Sequence, residues 1–89
     1  MASTVTDLVA DTWTKVLTNV TYEGSVHIID IASEPTYYEV ALVDTGNPAP
    51  ATDFGGGIVF KECFSPANSV ASDYYVRAKD RAGKVVVLT

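Results

Sequence analysis

The chain has 89 residues, 47% of them apolar and 19% charged, with eleven acidic and six basic side chains for a formal charge of −5. That describes one small domain, too short for a dinucleotide fold or a barrel enzyme with its loops and too apolar for the disordered class. The sign of the charge repels nucleic acid and anionic membrane surfaces, so neither is an expected partner.

Thirteen Val, ten Thr and four Ile make 27 β-branched residues, which favours strands over helices. Residues 1–60 hold eight acids against Lys15, net −7, and residues 61–89 hold five bases against three acids, net +2. Such a split suits either copies matched head to tail or a solvated C-terminal hairpin.

In chain order, residues 1–10 are small, polar and weakly patterned, and read as a short arm or as a further strand near 3–9. TWTKVLTNV (12–20) alternates, with Trp13, Lys15 and Leu17 on one face and Thr14, Val16 and Thr18 on the other. After a turn around Gly24, SVHIIDIA (25–32) is a second strand, and its Ile29 and Ile31 face is the better core candidate. The proline of SEP (33–35) breaks the run, and TYYEVALVD (36–44) gives the longest strand signal, with Tyr38, Val40 and Leu42 on its apolar face.

Residues 45–57, TGNPAPATDFGGG, form the longest loop, with two prolines and four glycines. Prolines restrict a loop and lower the entropy lost on docking, so Asn47, Pro48, Pro50 and Phe54 are candidate contact residues. IVFKECF (58–64) resumes the alternation, with Phe60 and Phe64 opposed to Val59 and a semi-buried Cys63; Val70 then serves as an inward anchor in a polar connection. DYYVRAK (73–79), DRAG and KVVVLT (84–89) read as a hairpin. Tyr74, Val76 and Ala78 face inward, Tyr75 and Arg77 outward, and Gly83 takes the positive-φ position of the loop. The expected fold is all-β, a small antiparallel sandwich or partly open barrel of six to seven strands.

Chemistry is sparse. His27 is the single histidine and Cys63 the single cysteine, so there is no intrachain disulfide, no zinc ligand set and no base–nucleophile motif. Asp44, Asn47 and Asp53 lie in or beside the loop but lack the acidic ladder of a calcium site, and the glycines at 55–57 precede a strand where a phosphate-binding loop would precede a helix. No catalytic residue and no cofactor is expected. Tyr37 and Tyr75, read as outward rings, could stack on a sugar or a second subunit, or on each other. The strand holding Val85 and Val87 is read as an exposed edge able to pair with a neighbour.

The frame Trp13…Val16, GSVHIIDIAS (24–33), YYEVALVDTGNPAP (37–50), GGIVF (56–60) and YYVRAKDRAGKVVVL (74–88) resembles the small all-β proteins of tailed-bacteriophage virions. The resemblance implies a head decoration, tail or fibre-associated protein that works by symmetric self-association and by docking to other virion proteins; the small core, the absence of disulfide staples, the Val85 to Leu88 edge and the division of charge point to a ring or trimer. It implies no catalytic residues, and the lack of a shaft or coiled-coil segment argues against a fibre. The alternative is a monomeric module that binds a protein surface or a host surface glycan.

Overall fold

The computed structural model describes residues 3–23, 26–32, 37–65 and 67–88. Among them are eight strands: β1 Ser3–Leu8, β2 Thr14–Glu23, β3 His27–Asp30, β4 Tyr38–Asp44, β5 Ile58–Phe60, β6 Cys63–Phe64, β7 Ala67–Ala78 and β8 Gly83–Leu88. They form two four-stranded sheets with the orders β1-β8-β3-β6 and β2-β7-β4-β5, antiparallel apart from one parallel bridge between Ala10 and Ala78. The fold is an all-β sandwich and is not closed into a barrel. The turn at Gly24, the break at 33–35 and the side chain of Tyr22 lie outside the described residues.

Residues 3–8 form the further strand read near 3–9 and are not an arm, pairing with β8 in unbroken register from Ser3↔Leu88 to Leu8↔Gly83. One feature takes the count past the expected seven. The run 58–64 is two strands, because Lys61 and Glu62 carry the chain from one sheet to the other: Phe60 pairs with Tyr38 and Phe64 with Ile28. The alternation survives the crossing since both halves send an aromatic ring inward, where Tyr38, Phe60 and Phe64 stack in series at 5.3 and 5.8 Å between centroids.

The terminal pair is likewise not a hairpin. β7 lies between β2 and β4, and β8 lies between β1 and β3 in the opposite sheet, so residues 79–82 bridge the layers. Four residues easily span the roughly 10 Å between packed sheets. The positive φ falls on Asp80 (70°), while Gly83 is needed for another reason: a Cβ there would stand 2.7 Å from the Tyr38 ring and 3.1 Å from the Ala78 Cβ.

The core comprises Leu8, Leu17, Val26, Ile28, Tyr38, Val40, Phe60, Tyr74, Val76, Ala78, Val85 and Val87. β3 therefore buries the face opposite to the expected one, and Ile29 and Ile31 point outward. Register with β8 decides this, pairing Ile28 with Val87 and Asp30 with Val85. The inward acid is tolerated because the Tyr38 hydroxyl donates to Asp30 Oδ1 at 2.6 Å and the Ala32 N–H donates to the same oxygen at 2.8 Å. Leu42 continues the inward row of β4 but is 43% exposed, outside the core, and Val70 is exposed and not an anchor. In β2 the register with β7 slips between Lys15 and Leu17, so Lys15 faces out opposite Tyr75 while Leu17 reaches the core opposite Tyr74.

Candidate functional site

The outward face of β2-β7-β4-β5 carries charge, and the chain covers it with its own loop. Arg77, buried on the central strand β7, donates from Nη1 to the Thr52 carbonyl (2.6 Å), from Nη2 to the Phe54 carbonyl (3.1 Å) and from Nε to Glu39 (3.3 Å). Its guanidinium lies 4.3 Å from the centre of the Trp13 ring, whose Nε1 donates to the Ala51 carbonyl. Glu39 also pairs with Lys79 at 3.0 Å. Gly57 lets the loop lie flat here, since a Cβ would come within 2.9 Å of Glu39 Oε2.

Farther along β7, buried Asp73 accepts the Asn19 N–H (2.8 Å) and the Thr45 hydroxyl (3.3 Å) and pairs with Lys15 (3.5 Å). The Asn19 N–H, with Lys15 beside it, holds the Asp73 carboxyl below the usual carboxylate range, and Asp73 in turn raises Lys15. Among the described residues every buried side-chain nitrogen or oxygen has a hydrogen-bond partner, so these charges act as clamps.

Tyr75 is consequently not an exposed ring. It points outward as the alternation predicts but is buried beside Lys15, 5.6 Å from its ring centre. Tyr37 is 54% exposed, with Lys61 at 5.3 Å. Asn47 and Pro48 are exposed on the loop, Pro50 is half-buried, and the exposed Phe54 leans on Trp13. Among the described residues no group of three or more His, Cys, Asp or Glu is gathered where it could hold an ion. The eight candidate contact residues do not form one surface.

Val85 and Val87 are core side chains, and β8 is an interior strand with neighbours on both sides, so neither is available to another subunit. The misreading has a physical source. VVVLT lacks charge, which reads as an unguarded edge, but equally fits a strand covered on both sides.

The outward face of β1-β8-β3-β6 is different. Cross-strand pairing arranges it in rows: Ser3, Leu88, His27; then Val5, Val86, Ile29, Cys63; then Asp7, Lys84. The middle row is apolar across all four strands and ends in an exposed thiol. Val5 is 59% exposed, and no loop among the described residues covers it as 45–57 covers the other sheet. The one acid and one base of these rows, Asp7 and Lys84, pair with each other at 3.6 Å. His27 meets Ser65 at 2.9 Å, but no described carboxylate hydrogen-bonds the ring to complete a triad. At one end of this sheet, Leu8, Val9, Ile31, Ala82 and Gly83 help line a cleft of about 760 Å³.

The sheet edges differ too. β5 and β6 have three and two residues, and β2 is broken by three register irregularities, all devices that blunt an edge. β1 has six residues, no bulge and no proline, and among the described residues no strand pairs with its outer edge. No helix among the described residues is long and apolar enough to cross a membrane. Comparison of the chain with protein-family models, curated proteins and solved structures gives no match.

Proposed function

We propose that the chain is a non-enzymatic assembly protein that works by symmetric self-association through the β1-β8-β3-β6 sheet, in the setting of the bacteriophage virion that its sequence resembles. The observation that carries the self-association is the regular, unpaired outer edge of β1 among the described residues, flanked on its outward face by the row Val5, Val86, Ile29 and Cys63, on rows whose two charges cancel. In a chain of net charge −5, a second copy meets least repulsion on a neutral apolar surface. The virion setting rests on the resemblance alone. In that setting the Arg77-held loop, with Asn47 and Pro48 exposed, is the contact for other virion proteins.

Light scattering on the purified chain tests the first part: a mass that rises towards a defined oligomer over the micromolar range is expected. A stable monomer at high micromolar concentration overturns it and favours the monomeric binding module, for which exposed Tyr37 and Phe54 are the available rings. Replacing residues 46–54 by a short Gly/Ser linker tests the second part, with loss of binding to virion particles as the expected result.

A further inference from the structure

Resting on the self-association reading, we infer that the second copy pairs edge to edge with β1, antiparallel and with the twofold axis at Val5, so that two four-stranded sheets become one of eight strands.

The edge chooses itself by elimination. Backbone donors and acceptors along a regular strand edge are a template for another strand, and among the described residues β1 is the one edge with neither bulge, brevity nor proline to blunt it. Its single charge, Asp7, is held by Lys84 of its own neighbour.

The register follows from parity and charge. Antiparallel pairing about an axis normal to the sheet opposes residues that face the same way, so the axis must fall on a residue paired with its own copy. In β1, Thr4 and Thr6 oppose the buried Val87 and Val85 and therefore face inward, leaving Ser3, Val5 and Asp7 outward. An axis at Asp7 sets two carboxylates face to face. An axis at Thr6 sets Asp7 against Val5 twice, and one at Thr4 sets Val5 against Ser3.

The axis at Val5 opposes Val5 with Val5, Thr4 with Thr6 and Asp7 with Ser3, each a favourable or neutral cross-strand pair. It also joins the two apolar rows end to end, from the Cys63 of one copy through Ile29, Val86 and Val5 to the same residues of the other. The occupant is thus a second copy of this chain: charge, facing and apolar continuity are all satisfied by the strand's own sequence read in reverse.

The test uses Cys63→Ser as background, so that each introduced thiol is alone. Under mild oxidation or with a short bismaleimide, Val5→Cys is expected to link most of the protein as dimer. Ser3→Cys and Asp7→Cys are expected to link when mixed and not when separate, because identical positions then lie about 14 Å apart, four residues at roughly 3.4 Å each. Ile29→Cys, at mid-face, reports face-to-face stacking and is expected to stay unlinked. Light scattering on the native chain under reducing conditions separates the two readings. A monomeric native chain overturns self-association and the pairing together. An oligomer that fails to link at Val5, or that links through Ile29→Cys instead, overturns the edge pairing and leaves self-association standing.

Discussion

On β7 the outward residues Asp73, Tyr75 and Arg77 are all buried, whereas on β8, which holds the same second place in the facing sheet, the outward Lys84, Val86 and Leu88 are not. The side chains invite the opposite arrangement, with the charged face wet and the aliphatic one covered. What decides is where the chain has length to spare. Thirteen residues separate β4 from β5, enough to fold back over their own sheet, where Arg77, Glu39 and Trp13 hold them while Asn19, Thr45 and Lys15 satisfy Asp73. No comparable described segment adjoins the other sheet. A covered polar face stiffens the domain, and an uncovered apolar one is where such a domain meets something else.

The sharpest way to break this contrast is at Arg77. Arg77→Met strips the loop of its anchor and leaves Glu39 buried with Lys79 as its remaining partner; the expected loss is about 3–5 kcal/mol by chemical denaturation. The matching change on the bare face, Val5→Thr, should stay within about 0.5 kcal/mol of the parent while weakening self-association. Equal losses from the two would end the distinction.

Gly83→Ala forces a methyl against the Tyr38 ring, for about 1–3 kcal/mol by thermal melting. Gly55→Ala, where a Cβ meets nothing within 4 Å, is its near-neutral control.

The charged face should also show itself in pH. The carboxyl of Asp73 is held below its ordinary 3.8, so the stability it contributes is full above that value and is lost as pH falls through the lower folded value. Melting temperature followed downward from pH 5 should fall less steeply in Asp73→Asn than in the parent. At the alkaline end, burial raises the Tyr74 hydroxyl, and burial together with the bond to Asp30 raises that of Tyr38. Tyrosinate absorbance from Tyr38 and Tyr74 should therefore develop above pH 10 and only as the fold is lost.

Strand existence was legible from alternation, because a half-buried strand alternates whatever its neighbours are, and the runs at 12–20, 36–44, 58–64 and 73–89 all contain strands. Pairing was not legible, since period two is blind to which sheet a strand joins; hence the apparent hairpin across 79–82 and the apparent edge at Val85 and Val87. Facing failed in β3 for a different reason. Ile29 and Ile31 outweigh Val26 and Ile28 on hydrophobicity alone, and the hydrogen bonds that make an inward acid acceptable, from the Ala32 N–H and from the Tyr38 hydroxyl eight residues on, are not visible in the pattern. For β1 the sequence left arm and strand open because its inward residues Thr4 and Thr6 are weak core signals, although the β-branched run Thr4, Val5, Thr6 favoured the strand, and nothing local marked it as an edge.

The order in which the chain visits the two layers carries one more implication. β1 waits for β8, with Ser3 matched to Leu88, and β3 also takes β8 as its neighbour, so one layer lacks its keystone until the last described strand is laid down. Pairings this distant close slowly, after most of the chain's entropy has already been given up. On the proposed pairing, the edge offered to a second copy is complete only when β8 joins β1 to β3, so competence to assemble would report on complete folding.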